Sequence, residues 1–211
     1  MSFSQFGEDL LVARIFGDAE PGTCLDIGAW GPGEFSNVRL FLDRGWDGVL
    51  VELSPMPLHS LLTAFGSEWK RPENAPNQKI QIISAAITPG PEHVTEFEIT
   101  QDCISSANAE HNARWRKQGY EFYGKLWVPT LSVRELLDQF FGDATLDYAS
   151  VDTEGTSVEI AIALAVSDHH PRVMVVEYDN QLPHLLEEVG KYGYGAVAGG
   201  VNSTNVVLER R

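Results

Sequence analysis

Residues 23–37 read TCLDIGAWGPGEFSN, an apolar run that ends in an acid and passes into a stretch rich in glycine. We interpret Thr23 to Gly28 as a short buried strand, because strands covered on both faces read as continuous apolar runs. A glycine-rich turn lets a ligand approach the backbone closely, and the helix predicted over residues 34–44 offers free N–H groups at its start. This stretch therefore predicts a strand, a turn and a helix that hold a ligand between them.

The alternation of apolar strands and helical segments continues along the chain. The spacing predicts helices over residues 7–17 (capped by Ser4), 34–44 (ended by Gly45), from Pro57 (capped by Ser54), after Thr130, and over 156–166 and 182–192. It predicts strands over 47–52, 79–83, 94–99 with one wet face, 146–152 and 172–178, and a hairpin over 196–208 around Asn202. This pattern predicts an α/β fold with a Rossmann-like, doubly wound, mostly parallel sheet and a closing antiparallel hairpin. In such a sheet the ligand lies beyond the carboxyl ends of the strands, where the strand order reverses.

Composition and charge exclude several classes of protein. The 211 residues fit one domain, and the 43% hydrophobic and 21% charged residues are typical of a globule rather than a disordered chain or a fibre. Lys and Arg number 15 against 30 Asp and Glu, which gives a formal net charge of −15. A surface this acidic repels phosphate backbones and anionic lipids, so we expect neither a nucleic acid nor a membrane as a partner.

The apolar segments and the two cysteines bear on where the protein works. No apolar run approaches the roughly 20 residues that cross a bilayer, and the first residues lack the basic and apolar regions of a secretory signal. Cys24 and Cys103 lie far apart and outside any metal-binding spacing, and Cys24 sits in an apolar run as a core thiol does. A reducing cytoplasm is the compartment that we expect.

Acids end the two predicted strands nearest the glycine-rich turn. Glu52 closes the second strand, where its carboxylate can accept hydrogen bonds from both hydroxyls of a ribose. A strand, a glycine-rich turn, a helix and a second strand that ends in an acid are arranged in this order in proteins that bind adenosine-containing ligands. The alternative is a tight turn with an acid on the surface. Asp26 would repel a phosphate but suits the cationic amino acid and sulfonium of S-adenosylmethionine, so it favours that ligand over NAD. The GxxxxGK[ST] motif of P-loop proteins is absent.

A second group of acids follows the later strands. Asp152 and Glu154 flank a strand-to-helix turn, and Glu177 follows four apolar residues, so we expect it to be partly buried. A buried acid without a structural partner is costly, and such residues are often functional. Helix capping is the alternative role for Glu154.

Four blocks of sequence run in order along nearly the whole chain. They are SQFGEDL at 4–10; DIGA at 26–29 through Ser36 and Asn37, with RGWDG at 44–48 and VELSP at 51–55; TL at 130–131 with LL at 136–137, DTEG at 152–155 and EI at 159–160; and VEY at 176–178 with Asn180. Together they resemble the FkbM-type methyltransferases, a branch of the class I S-adenosylmethionine-dependent fold. Trp30 and Pro32 depart from this family where it often has glycines, and Tyr178 replaces a frequent histidine.

The resemblance implies a single domain, residues 1–211, with a seven-stranded sheet, that methylates a hydroxyl of a sugar, glycan or secondary metabolite. It implies that the residues holding S-adenosylmethionine are Gln5, Gly7, Asp26, Gly28, Ala29, Ser36, Asn37, Glu52, Ala85 and Ala86. Asp152, Glu154 and Glu177 would be the catalytic residues facing the acceptor. Because a sugar hydroxyl is a poor nucleophile, we expect a carboxylate to act as general base.

Residues 101–125 are predicted to be the acceptor-binding insert. They concentrate cations and aromatic side chains in an otherwise acidic chain, and His111, Arg114 and Trp115 are the candidates for contacting the acceptor. Aromatic rings can stack on a ring substrate, and cations can hold a carboxylate or phosphate. A surface helix with a solvated basic face is the alternative.

Alternatives also stay open for the metal and for the activity. We expect no metal, but the alternative is Mg²⁺ on oxygen ligands from Asp152, from Glu177 or Asp179, and from Asn180. A second hypothesis is a cofactor-binding module without turnover, which Trp30 and Pro32 in the cofactor turn would support. A third is an NAD-dependent Rossmann enzyme, against which the missing GxGxxG motif and Asp26 count.

Overall fold

A computed structural model describes residues 1–67, 69–91, 93–100 and 103–211 of the chain. The strands are β1 (Thr23–Ile27), β2 (Asp47–Val51), β3 (Ile80–Ile83), β4 (Ala86–Thr88), β5 (Val94–Ile99), β6 (Gly124–Ser132), β7 (Tyr148–Val151), β8 (Val173–Glu177), β9 (Tyr194–Val201) and β10 (Asn205–Arg210). The helices are α1 (Glu8–Phe16), α2 (Arg39–Asp43), α3 (Pro55–Leu62), α4 (Ala109–Lys117), α5 (Val133–Phe140), α6 (Ser157–Val166) and α7 (Leu182–Gly190), and a π-helical turn (Thr63–Ser67) follows α3. Within these residues, every helix is too short or too polar to cross a membrane.

Seven strands form one sheet in the order β3-β2-β1-β7-β8-β10-β9. β1 pairs in parallel with both β2 and β7, and β3 and β8 extend the sheet in parallel on either side. β10 runs antiparallel to β8 and to β9. The predicted α/β fold, with a mostly parallel seven-stranded sheet and an antiparallel hairpin at its end, is therefore confirmed. The strand order reverses between β1 and β7.

The two faces of this sheet are covered by two apolar layers. Leu25 and Ile27 of β1 pack into the layer that includes α5, α6 and α7, whereas Cys24 packs into the layer of α1, α2 and α3. Successive residues of a strand face opposite sides, so Asp26 shares the face of Cys24. Its side chain is only 3% exposed. The sheet thus carries one carboxyl group inside an otherwise apolar central strand.

A second sheet of three strands was not predicted from the sequence. Its order is β4-β6-β5, with β6 parallel to β4 and antiparallel to β5. The predicted insert 101–125 leaves this sheet after β5 and returns to it in β6, with α4 in between; Gln101 and Asp102 lie outside the described residues. The predicted wet face of β5 is confirmed at Val94, which is exposed, and at Glu96, which is partly exposed, but not at Glu98, which is buried and forms an ion pair with Arg116 of α4.

The predicted helix cap Thr130 is wrong because another residue starts that helix, whereas Ser54 does take the N-cap position of α3. Thr130 lies in β6 opposite Ala86 of β4, and this pairing carries the strand on to Ser132. Ser132 then begins α5 with a capping box, in which its hydroxyl and the Glu135 carboxylate bond to each other's backbone N–H groups. α3 begins at Pro55 rather than at Pro57, and Ser54 precedes it without a side-chain cap.

The first two helices also begin later than predicted. Gly7, at a left-handed φ of 85°, takes the N-cap position of α1. The predicted cap Ser4 lies further back, but its hydroxyl accepts the N–H of Asp9 in the first turn at 3.2 Å and donates to the Asp9 carboxylate at 2.9 Å. α2 spans only Arg39–Asp43 instead of residues 34–44. Phe35, at a left-handed φ of 64°, lies in the turn that replaces the first part of that helix. The connection from β1 to α2 is therefore longer than the sequence pattern suggested.

Candidate functional site

A cavity of about 370 Å³ opens at the carboxyl ends of β1, β2, β7 and β8. It lies where the strand order reverses, which is where open α/β sheets bind ligands. The predicted site residues that line it are Gln5, Asp26, Gly28, Asn37, Glu52, Ala85, Ala86, Trp115, Asp152, Glu154 and Glu177. Further lining residues, which the sequence analysis did not assign to the site, include Phe35, Ser54, Ile104, Thr204 and Asn205.

Several predicted site residues do not line the cavity, namely Gly7, Ala29, Ser36, His111 and Arg114. Ala29 is 3% exposed and packs into the apolar layer below the turn. Ser36 is equally buried, and its hydroxyl accepts the N–H of Arg39 at 3.2 Å, so it supports the start of α2. These residues shape the surroundings of the cavity without facing it.

Gly28 brings the turn after β1 against the turn after β7. Its φ is 84°, and a Cβ atom there would lie 1.7 Å from the carbonyl oxygen of Asp152. The N–H of Asp152 donates to the carbonyl of Ile27 at 2.9 Å, and the N–H of Gly28 donates to the carbonyl of Val51 at 3.0 Å. Only glycine fits this approach, so Gly28 places Asp152 beside the first turn.

Glu52 is held by three backbone N–H groups at the end of β2. Its Oε2 accepts from Trp30 at 2.8 Å, and its Oε1 accepts from Leu53 at 2.7 Å and from Ser54 at 2.6 Å. Burial raises the pKa of the carboxyl group, and these hydrogen bonds act against the rise. The Ser54 hydroxyl also bonds to this carboxyl group, so a ligand hydroxyl would take over or share one of its about four acceptor positions.

Trp30 has a backbone conformation that glycine usually takes. Its φ is 48°, which costs a bulky residue on the order of 1–3 kcal/mol, and its N–H bonds to Glu52. Both Trp30 and Glu52 line the cavity. Although Trp30 departs from the glycine frequent in the family that the sequence resembles, it keeps the backbone geometry that a glycine there would allow.

Asp26 lies at the floor of the cavity in a buried polar chain. The hydroxyl of Ser150 bonds to Asp26 and accepts the Nδ2 of Asn37 at 3.2 Å, and Tyr148 donates to the carbonyl of Asn37 at 3.2 Å. Burial, with smaller contributions from the charges of Asp152 and Glu52, raises the pKa of Asp26 to about 7. This carboxyl group therefore exchanges its proton near neutral pH and can meet a cation as a carboxylate.

The raised pKa of Asp26 predicts that stability falls as the pH rises. The unfolded chain loses this proton near pH 4, whereas the folded protein keeps it up to about pH 7. The folded state therefore binds more protons between these values, and its free energy of unfolding decreases by up to about 4 kcal/mol from pH 4 to 7. Urea denaturation at constant ionic strength measures this slope. The raised pKa values of Asp152 and Glu177 contribute to the same slope, so we expect Asp26→Asn to reduce it rather than abolish it. Asp138→Asn, at an exposed position on α5, should leave it unchanged; equal slopes in wild type and Asp26→Asn would assign the effect elsewhere.

Three carboxyl groups converge on the other side of the cavity. Asp152, Glu154 and Glu177 each place one oxygen within 4.8 Å of the oxygens of the other two. Burial raises the pKa of both Asp152 and Glu177, and the charge of Asp179 adds to the rise in each. The two side chains bond to each other, and this bond lowers the pKa of Asp152 but raises that of Glu177, which also faces the charges of Asp152 and Glu154. Of the pair, Glu177 is therefore the group that keeps the proton.

Hydrogen bonds hold the start of α4 against the turn after β7, which carries Asp152 and Glu154. Ser106 donates its hydroxyl to the carbonyl of Glu154 at 2.6 Å, and Asn108, which caps α4, donates its Nδ2 to the carbonyl of Gly155 at 2.7 Å. The Nε2 atom of His111 lies 3.4 Å from Oε2 of Glu154. Burial and the charge of Arg114 lower the pKa of His111 to about 4, so the ring is neutral.

Of the three residues predicted to contact the acceptor, Trp115 alone lines the cavity. Arg114 is half-exposed and lies 3.8 Å from the carboxylate of Asp179 and 3.3 Å from Nδ1 of His111. The sequence of α4 could not show which of the three residues faces the cavity, because that depends on how the helix docks on the turn after β7.

The N-terminal segment reaches the cavity from the side of the β9–β10 hairpin. Glu8 accepts the side-chain amides of Asn202 at 2.8 Å and Asn205 at 2.9 Å, and these bonds help to lower its pKa against the effect of burial. Gln5 and Asn205 both line the cavity. Gln5 therefore lies where a cofactor-binding residue can lie, whereas Gly7 forms the left-handed turn before α1.

The chain matches none of the known family models, and no curated protein shows significant similarity to it. The fold and the site together define an α/β protein whose mostly parallel seven-stranded sheet is compatible with a Rossmann-like fold. An acid-rich cavity lies where the strand order of this sheet reverses. The resemblance to the FkbM-type methyltransferases stays a prediction that depends on the four sequence blocks.

Proposed function

We propose that this protein is a class I, FkbM-type methyltransferase that transfers the methyl group of S-adenosylmethionine to a hydroxyl of a sugar, glycan or secondary metabolite. One observation carries the proposal. A single cavity at the reversal of the strand order joins Glu52 and Asp26 on one side to the Asp152, Glu154 and Glu177 group on the other. Such a cavity can hold a nucleoside and an acceptor next to each other.

The side of the cavity near β1 and β2 fits the proposed cofactor. Glu52 offers its carboxylate to ribose hydroxyls, and Asp26 offers a carboxyl group to a cationic amino acid. Ala85 and Ala86 provide small side chains against which an adenine ring can pack. A diphosphate would meet repulsion from these acids, so the chemistry of this cavity also favours S-adenosylmethionine over NAD.

The side of the cavity near β7 and β8 fits an acceptor hydroxyl. When bound, S-adenosylmethionine supplies a methyl group whose carbon–sulfur bond breaks as the acceptor oxygen bonds to the carbon. Asp152 takes the proton of that hydroxyl, because Glu177 is the member of the pair that is already protonated. Trp115 and Ile104 line the same cavity and exclude water around the acceptor.

Calorimetric titration with S-adenosylmethionine tests the cofactor. We expect micromolar binding to the wild type and 10- to 100-fold weaker binding to Glu52→Gln, since charged hydrogen bonds to the ribose contribute about 1.5–3 kcal/mol. Glu34→Gln, at an exposed position in the connection between β1 and α2, is the matched control and should bind as the wild type does. Thermal melting shows whether Glu52→Gln is folded.

Two results would contradict this assignment. Absence of S-adenosylmethionine binding to the folded wild type would remove the methyltransferase proposal, and a nicotinamide titration would then test the NAD alternative. Methyl groups from labelled cofactor that arrive only on nitrogen or carbon of the acceptor would refute the oxygen assignment.

A cytoplasmic location remains a prediction, in keeping with two cysteines that are not joined in a disulfide.

A cofactor-binding module without turnover is the second candidate. The observation that favours it is the side chain of Trp30, which lines the cavity beside Glu52. Its indole stands where the family that the sequence resembles often has a glycine, so it takes up room on the cofactor side of the cavity. Tight binding of S-adenosylmethionine without methyl transfer to any pool of hydroxylated acceptors would favour this candidate.

A further inference from the structure

The three converging carboxyl groups leave buried oxygens without a partner. Oδ1 of Asp152 and Oε2 of Glu177 have no hydrogen-bond partner among the described residues, and both atoms are shielded from solvent. Asp152 and Glu154 come from the turn after β7 and Glu177 from the end of β8, so two separate connections bring these oxygens together. Like charges at this distance repel each other unless a proton or a cation lies between them.

Two further buried side chains near the cluster, those of Asp179 and His111, each have a polar atom without a hydrogen-bond partner among the described residues. The side chain of Asp179 is 9% exposed, and its Oδ2 has no hydrogen-bond partner in the described part of the chain. Its charge acts on both Asp152 and Glu177. Asp179 thus adds negative charge against the cluster, and its unpaired oxygen carries a desolvation cost that a cation would offset.

The side chain of His111 is 1% exposed and faces the cluster at Glu154. Arg114 has only donors, so it must donate to Nδ1 of His111, which leaves the ring proton on Nε2. Nε2 lies 3.4 Å from Glu154 but, within the described residues, completes no hydrogen bond. Carboxylates that bind metals are themselves held by hydrogen bonds, and a ring N–H this close to Glu154 can supply one.

We propose that Asp152, Glu154 and Glu177 bind one hard divalent cation, Mg²⁺ or Mn²⁺, through one oxygen each. Oxygen ligands at this spacing suit Mg²⁺, which takes few carboxylates and keeps several waters, better than Ca²⁺, which takes six to eight oxygens. Zn²⁺ prefers nitrogen and sulfur ligands. Asp179 and Asn180, which the sequence suggested as alternative ligands, are not in this group.

A cation at this place would face the cavity. All three ligands line it, so the remaining coordination positions are open to water or to a hydroxyl of a bound molecule. A divalent cation lowers the pKa of an oxygen that it binds. The proposal goes beyond methyl transfer and does not depend on it, because it is made from the cluster alone.

Titration of the full chain with Mn²⁺, followed by electron paramagnetic resonance, tests the site in the absence of any cofactor. We expect one Mn²⁺ per chain, displaced by Mg²⁺, and at least about tenfold weaker binding to Asp152→Asn and to Glu177→Gln. The matched control is Glu159→Gln, at an exposed acid on α6 outside the cluster, which should bind as the wild type does. Thermal melting confirms that each variant is folded, and removal of one repelling charge should not unfold it.

The possible results separate this proposal from the proposed function. Failure of the wild type to bind Mn²⁺, or equal affinities in the wild type and the two cluster variants, would overturn the cation site and show that a shared proton holds the cluster together. Binding of Zn²⁺ without competition from Mg²⁺ would overturn the choice of a hard cation. Mn²⁺ binding without S-adenosylmethionine binding would support the cation site and contradict only the methyltransferase; the reverse result would contradict only the cation site.

Discussion

Asp152→Asn is expected to lower the rate of methyl transfer by about 10²- to 10⁴-fold, the usual effect of losing a general base. The amide keeps the shape of the side chain but cannot take the proton of the acceptor hydroxyl. The S-adenosylmethionine affinity should change by less than about threefold, because Glu52 and Asp26 stand on the other side of the cavity. Initial rates with labelled cofactor and hydroxylated acceptors, together with calorimetry, measure the two effects separately.

The exposed acid Asp138 provides the control for this variant. Asp138→Asn makes the same change of net charge at an exposed position on α5 that does not line the cavity, and it should leave both rate and affinity at the wild-type level. Equal losses of affinity and rate in Asp152→Asn would mean that Asp152 positions the cofactor. An unchanged rate would remove Asp152 as the base and leave Glu154 as the next candidate.

Gly28→Ala is expected to destabilise the protein by more than about 4 kcal/mol, or to prevent folding altogether. A Cβ atom at this position would lie 1.7 Å from the carbonyl oxygen of Asp152, and φ is already 84°. Relief of the clash requires the ends of β1 and β7 to separate, which breaks the bond between the Asp152 N–H and the Ile27 carbonyl. The yield of folded protein and the midpoint of urea denaturation measure the effect.

Gly33→Ala is the matched control in the same connection. A Cβ atom on Gly33 would meet no heavy atom of the described residues within 4 Å, and its φ does not lie in the left-handed region. We therefore expect a change of less than about 1 kcal/mol. Comparable stability of the two variants would show that β1 and β7 do not approach each other as described.

The central strands were predictable because their apolar runs leave little choice. Residues 23–28 and 146–152 contain apolar runs long enough for strands covered on both sides, and both form strands of the main sheet. The helix starts were less predictable. Thr130 has the chemistry of a helix cap, but pairing of β6 with β4 and β5 extends the strand past it to Ser132. Competition between a local cap and pairing with a distant strand is not visible in local sequence.

The sequence by itself determined the alternation of strands and helices and the acids at the strand ends. Carboxyl ends of parallel strands meet at one edge, so Asp26, Glu52, Asp152 and Glu177 had to lie near one another. Only the tertiary structure decided that Asn205 reaches the cavity from the terminal hairpin. The same holds for the ion pair of Arg116 with the buried Glu98 and for the approach of His111 to Glu154 at 3.4 Å. These contacts join residues far apart in the chain, and their geometry follows from packing between elements, which no local periodicity records.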